Sequence, residues 1–255
     1  MSEEIKEMDT SPKNSRQPKN RLILLLAVFL LGIIIIACFI ISGNKNRAND
    51  KDSGNSQINR KVKIGNQVWM VENLKTTMFN DGTPIPQVKN SKEWENLKTP
   101  AYCWYNDKPS TNKDTYGALY NWYTVNTGRL CPVGWHVPTD AEWRTLTNFL
   151  GDSVYFVKEV AGIKLKETGN VHWEFQDTIN PVNEYGFTAL PGGIRTIYGV
   201  YFGIGKEGNW WSSTDKNEDN RDAVTRQMRF DFGGVSKLPQ YKQTGCSVRC
   251  IKDSV

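Results

Sequence analysis

The stretch "CPVGWHVPTDAEW", residues 131–143, holds a turn, an extended approach and the start of a helix. Cys131-Pro132-Val133-Gly134 reads as the turn. Pro138 biases Val137 toward extended geometry. Thr139 stands three residues before Glu142, the spacing of a capping box, and Asp140 adds negative charge at the positive end of a helix. Trp143, Leu146, Phe149 and Leu150 follow at helical spacing and Gly151 stops the run. These signals predict a helix over 140–150 with Trp143 on its buried face. His136 is one of two histidines in the chain and has no second ligand nearby. It reads as a packed, hydrogen-bonded residue of a fold corner rather than as a metal ligand.

Outward from this corner the chain changes character. "KVKIGNQVWMVENL" alternates Val62 and Ile64 with lysines, turns at Gly65-Asn66 and alternates again through Val68 and Met70, which predicts a β-hairpin. "NDGTPIP" (80–86) is turn and loop. "SKEWENL" (91–97) predicts one or two helical turns behind a Ser cap, and "PAYCWYND" (100–107) a strand. "YGALYNWYTVN" (116–126) fits either a helical face through Leu119, Trp122 and Tyr123 or an aromatic strand. Strand patterns recur at 185–195, 208–214, 225–232 and 245–253, separated by glycines and long loops. Helices early and short strands late predict an α+β domain over 61–255.

The first sixty residues are different. Residues 1–21 are polar, mixed in charge and without aromatics, the composition of a disordered tail. "LILLLAVFLLGIIIIACFIIS" (22–42) carries no charge, and at 1.5 Å per residue it spans about 30 Å, a bilayer core. A transmembrane helix here leaves the tail cytoplasmic and the C-terminal domain extracytoplasmic, periplasmic or at the cell surface. The alternative is a lipoprotein anchored at Cys38, since Ile35-Ile36-Ala37-Cys38 is similar to a lipobox, although Phe39-Ile40-Ile41 continue the apolar run. Residues 43–60 read as a flexible stalk.

Outside the membrane the cysteines meet an oxidising compartment. The domain has Cys103, Cys131, Cys246 and Cys250, which allow three pairings of two disulfides. The net charge of +5 is spread without a basic stripe, so nucleic acid is not an expected partner. No Ser-His-Asp arrangement, phosphate-binding glycine loop or zinc spacing is present, and His136 and His172 are too few for a multi-histidine site.

Taken in order, "IGNQVWMVENLKT", "DGTPIP", "AYCWYND", "YGALYNWYTVN", "LCPVGWHVPTDAEW", "GFTALPGGIR", "WWSST" and "SVRCIKD" resemble the Fibrobacter succinogenes major paralogous (FISUMP) domain across nearly all of 61–255. That family consists of bacterial surface or secreted proteins, so the resemblance implies a location and a fold rather than a mechanism. "HVPTDAEW" and "LPGGIR" are also similar, more distantly, to "RLPTEAEWE" and "RGGSW" of the formylglycine-generating sulfatase-modifying proteins. This similarity implies a C-type lectin-like fold: two main helices, a small twisted sheet and long loops, with the chain ends joined. It also tilts 116–126 toward helix.

The resemblance supplies two readings of the cysteines. As structural staples, Cys131 joins Cys250, closing the domain as C-type lectin-like folds often do, and Cys103 joins Cys246. As a copper-dependent oxidase of the formylglycine-generating kind, Cys246 and Cys250 bind Cu(I) as soft thiolates. Their spacing is one residue short of that family's, and in a strand this changes which face each side chain occupies.

Aromatic residues offer a binding surface. Trp104, Tyr105, Trp122, Tyr123, Trp210 and Trp211 either fill a core or stack on sugar rings. Trp210 and Trp211 are adjacent, so a strand points them to opposite faces, one to the core and one outward. Asp215, Asn217, Glu218, Asp219 and Asn220 have the oxygen chemistry of a calcium loop but read first as a solvated loop. The expected role is a non-catalytic module for a glycan or protein ligand, without a resident metal or cofactor.

Overall fold

The computed structural model describes residues 60–152, 159–216 and 221–254. The tail at 1–21, the apolar run at 22–42 with Cys38, and all of the stalk except Arg60 lie outside them. Among the described residues no helix is long and apolar enough to cross a membrane.

The domain opens with the hairpin of β1 (Lys61–Ile64) and β2 (Gln67–Met70), in register Ile64 to Gln67. Gly65 leads its two-residue turn at φ +58°, a conformation that costs glycine nothing. Next come α1 (Ser91–Glu95), β3 (Tyr102–Cys103), a 3-10 turn (Tyr105–Asp107), α2 (Pro109–Tyr116), β4 (Leu119–Tyr120) and α3 (Trp122–Val125). The cap of α1 is Asn90, whose Oδ1 accepts from Glu93 N at 2.9 Å, and not Ser91.

The segment 116–126 is not one helix. Gly117, at φ +75°, ends α2 where a Cβ would stand 2.8 Å from Leu74 O. Tyr120 is then drawn into strand pairing, and Asn121 restarts a single helical turn by accepting from Thr124 N. Long-range pairing overrides the local helical pattern.

The corner behaves as its residues require. β5 (Trp135–His136) leads into α4 (Asp140–Leu150), whose start carries the complete capping box. Thr139 Oγ1 accepts from Glu142 N at 3.2 Å and Glu142 Oε2 accepts from Thr139 N at 2.8 Å. Gly151 ends the helix in the left-handed region. The buried face is Trp143, Leu146, Thr147 and Leu150; Phe149 lies outside it, over Gly65 and against Tyr185. Then follow α5 (Ala161–Leu165), β6 (Gly192–Arg195), β7 (Tyr201–Ile204), β8 (Glu207–Asp215), β9 (Asp222–Arg229), β10 (Ser236–Tyr241) and β11 (Ile251–Lys252).

The strands form an α+β arrangement of two main sheets and a short pair. One sheet has the order β1-β2-β11-β5, so both ends of the domain meet in it. The larger has the order β10-β9-β8-β6-β7, antiparallel except between β6 and β8. β3 and β4 pair separately. The segment 245–250 laces all three together. Gly245 exchanges backbone hydrogen bonds with Arg195, and Cys246 with Tyr120. Ser247 N donates to Asn209 O and Ser247 O accepts from Trp211 N. Val248 O and Cys250 O accept from Leu74 N and Met70 N.

This lacing covers β8 on both faces. Trp210 packs with Trp69, Trp143 and Phe187 beneath α4. Trp211 packs on the other side with Tyr120, Trp122 and Cys246. A third cluster gathers Trp94, Cys103, Tyr105 and Leu119. The alternation of the two tryptophans holds, but neither faces solvent.

Candidate functional site

Cys131 and Cys250 form a disulfide with Cα atoms 6.1 Å apart, closing a loop of sequence separation 119. Cys103 and Cys246 are free, buried thiols, which corrects the second expected pairing. The reason is geometric. Cys103 pairs with Leu119 on one edge of β4, and Cys246 pairs with Tyr120 on the other. Neighbouring residues of β4 face opposite ways, so the two thiols point apart. Two strand spacings also separate them by about 9.5 Å, beyond the ~7 Å Cα reach of a disulfide. Burial pushes the Cys103 thiol up to about 12 and the Cys246 thiol well above its ordinary value. With Cys250 bonded to Cys131 and Cys246 protonated and enclosed, no thiolate pair stands ready for copper.

His136 sits between two carboxylates. Its Nδ1 is 2.6 Å from Asp253 Oδ1 and its Nε2 is 2.9 Å from Glu142 Oε1. Burial opposes the charged imidazolium, but the Asp253 and Glu142 hydrogen bonds together outweigh it and raise the pKa. The corner is therefore tied to the C-terminal segment by both a disulfide and an ion triad. Among the described residues no group of three or more His, Cys, Asp or Glu is arranged to hold a metal.

The aromatic candidates are interior residues. Trp104, Tyr105, Trp122, Trp210 and Trp211 are all buried, and Tyr123 is half-buried. Trp210 Nε1 donates to Asn73 Oδ1 at 2.8 Å, and Trp211 Nε1 to Tyr120 O at 2.7 Å. Tyr105 packs on Tyr201, and Lys113 lies over Trp104. These rings build the scaffold and present no stacking face. Asp215 ends β8 and accepts from Lys242 Nζ at 2.9 Å. Asn217 and Asp219 lie outside the described residues.

The structure instead gathers a site that the sequence left unread, in the loop between α5 and β6. A cavity of about 240 Å³ opens there. Aromatic rings of Trp173, Phe175 and Phe230 and amides of Asn170, Gln176 and Asn180 share its wall. Trp173 is fixed because its Nε1 donates to Ala189 O at 2.9 Å. Phe175 is 67% exposed at the rim. The loop is held at several points: Lys166 bridges to Ala189, Glu174 N donates to Gly205 O at 2.7 Å, and Val182 N donates to Ile163 O at 2.9 Å.

Lys166 lies at the cavity with its side chain fully buried. Burial brings its pKa down to about 8. Its ammonium donates to Phe232 O at 2.6 Å and to Arg229 O, and lies 5.2 Å from the Trp173 ring centre. At the rim Glu174 pairs with Lys206 at 3.4 Å. The amides of Asn170, Gln176 and Asn180 make no side-chain hydrogen bond to the described residues. The signal was present in sequence as "GNVHWEFQDTIN" (169–180), aromatic and amide-rich, but it has no strand or helix period to draw attention.

The sequence profile of the Fibrobacter succinogenes major domain matches residues 62–252, and the chain belongs to that family. No curated protein and no solved structure matches it.

Proposed function

We propose that this is a single-pass membrane protein, anchored through residues 22–42, whose extracytoplasmic domain is a C-type lectin-like, non-catalytic binding module for glycan or protein. The cavity between the 169–181 loop and Phe230 supports this reading most directly: the aromatic side chains of Phe175 and Phe230 and uncommitted amides converge there on a loop pinned at several backbone positions. Small-molecule sites have this composition, with apolar walls and a few placed polar groups. Two features support the lectin-like scaffold. The chain ends lie in one sheet, and Cys131–Cys250 staples the corner to the terminal strand. The oxidase reading loses its thiolate pair, because Cys250 is bonded to Cys131.

The test is a glycan array and a surface-protein pull-down with the full-length chain in detergent, beside fractionation of cells into membrane and soluble pools. A membrane-bound chain with a saturable glycan or protein ligand is the expected result. A chain recovered in the soluble pool, or one with no ligand of either class, overturns the corresponding half of the proposal.

A further inference from the structure

The cavity's chemistry narrows its ligand. Its two ionic groups are already satisfied: Lys166 by backbone carbonyls of Arg229 and Phe232, Glu174 by Lys206. Lys166 is also fully buried, so a charged ligand gives up its hydration without an exposed, unpaired counter-ion to replace it. What remains uncommitted is the set of three amides, and each amide offers both a donor and an acceptor. That matches vicinal hydroxyls, which both donate and accept. Phe175, exposed at the rim, and the half-buried Phe230 supply an apolar surface beside them, over the buried Trp173. A molecule with hydroxyls at its edge and C–H groups on its face is a pyranose. The size agrees: about 240 Å³ is smaller than the usual range for drug-sized ligands, about 300–1,000 Å³.

We infer that this cavity binds a single uncharged pyranose unit, with its apolar face against Phe175 and Phe230 and its hydroxyls on Asn170, Gln176 and Asn180. The inference rests on the binding-module reading above and names the ligand class for it. The loop's backbone ties leave it little conformational freedom to lose on binding, which favours a weak ligand such as one sugar ring.

The test is calorimetric titration of the full-length chain in detergent with neutral hexose oligosaccharides and with their uronic-acid counterparts. Phe175→Ala and Asn180→Ala serve as variants. Both residues are exposed, so neither substitution removes core. Neutral sugars are expected to bind, uronic acids to bind at least tenfold more weakly, and each variant to weaken binding about tenfold, the effect of losing one stacking or hydrogen-bonding contact. Neutral-sugar binding that survives both variants overturns the cavity assignment while leaving the module reading in place. Equal or tighter binding of the uronic acids overturns the uncharged class. A protein ligand without any sugar ligand overturns the inference alone, and the absence of both overturns the module reading with it.

Discussion

Trp210 and Trp211 are neighbours on β8 and belong to two different cores, one under α4 and one against Tyr120 and Cys246. The strand is a partition, not a surface. Truncating either residue opens a large hole in a closed interior. Trp210→Ala and Trp211→Ala are each expected to cost about 3–5 kcal/mol in denaturant titration. Phe175→Ala, at the exposed rim of the cavity, is expected to stay within about 0.5 kcal/mol of wild type. A tryptophan variant as mild as Phe175→Ala contradicts the two-sided packing.

The disulfide makes a separate prediction. Non-reducing peptide mapping is expected to give one bridged pair, Cys131 with Cys250, and two unmodified thiols. Cys103 and Cys246 are expected to resist alkylation until denaturant is added, because both are buried and held protonated. Reduction, or the double variant Cys131→Ala/Cys250→Ala, is expected to lower stability by about 5 kcal/mol in the chain-entropy view of so long a loop. Bridging of Cys103 to Cys246 in the mapped peptides contradicts the strand arrangement around β4.

His136 gives a pH dependence. Its folded pKa lies above its ordinary value of 6.5, so the folded state binds the proton more tightly than the unfolded chain. The resulting stabilisation is fully present below 6.5 and is lost as pH rises through the raised folded value. The stability gap between wild type and His136→Gln is therefore expected to be widest in mildly acidic buffer and to shrink toward alkaline pH. A gap that widens with rising pH contradicts the charged bridge between Asp253 and Glu142.

Thr139 tests the corner at its local level. Thr139→Ala removes the side-chain acceptor for Glu142 N. It is expected to cost about 1 kcal/mol, the usual value of an N-cap, read from the denaturation midpoint. Thr139→Ser keeps the acceptor and is expected to stay close to wild type. Equal losses in both variants indicate that the methyl group, not the cap, is what matters.

The corner at 131–151 was legible because its determinants are local. A capping box, a terminal glycine and a helical stripe act within a few residues of one another, so sequence spacing is also spatial spacing. Even there, Phe149 left the buried face for a place over Gly65, since the hairpin had to be present before that contact existed. The first hairpin was legible for the same reason as the cap.

Two strands, β7 and β10, were missed, and the helix read over 116–126 became strand then helix. Tyr120 pairs with Cys246, far away in sequence, whereas β7 and β10 are hairpin partners of β6 and β9 whose strand patterns are broken by Gly203 and Pro239. Pairing energy from a distant segment is invisible to a local pattern. The sequence by itself determined the family, the capped helix, the opening hairpin and the chemistry available to each position. Only the tertiary structure decided that both tryptophans are interior, that Cys103 and Cys246 face apart across β4, and that the amides and rings of 169–181 converge on a cavity. Burial and convergence depend on what covers a residue from elsewhere in the chain, and here much of that cover comes from the segment 245–250, threaded last through the sheets.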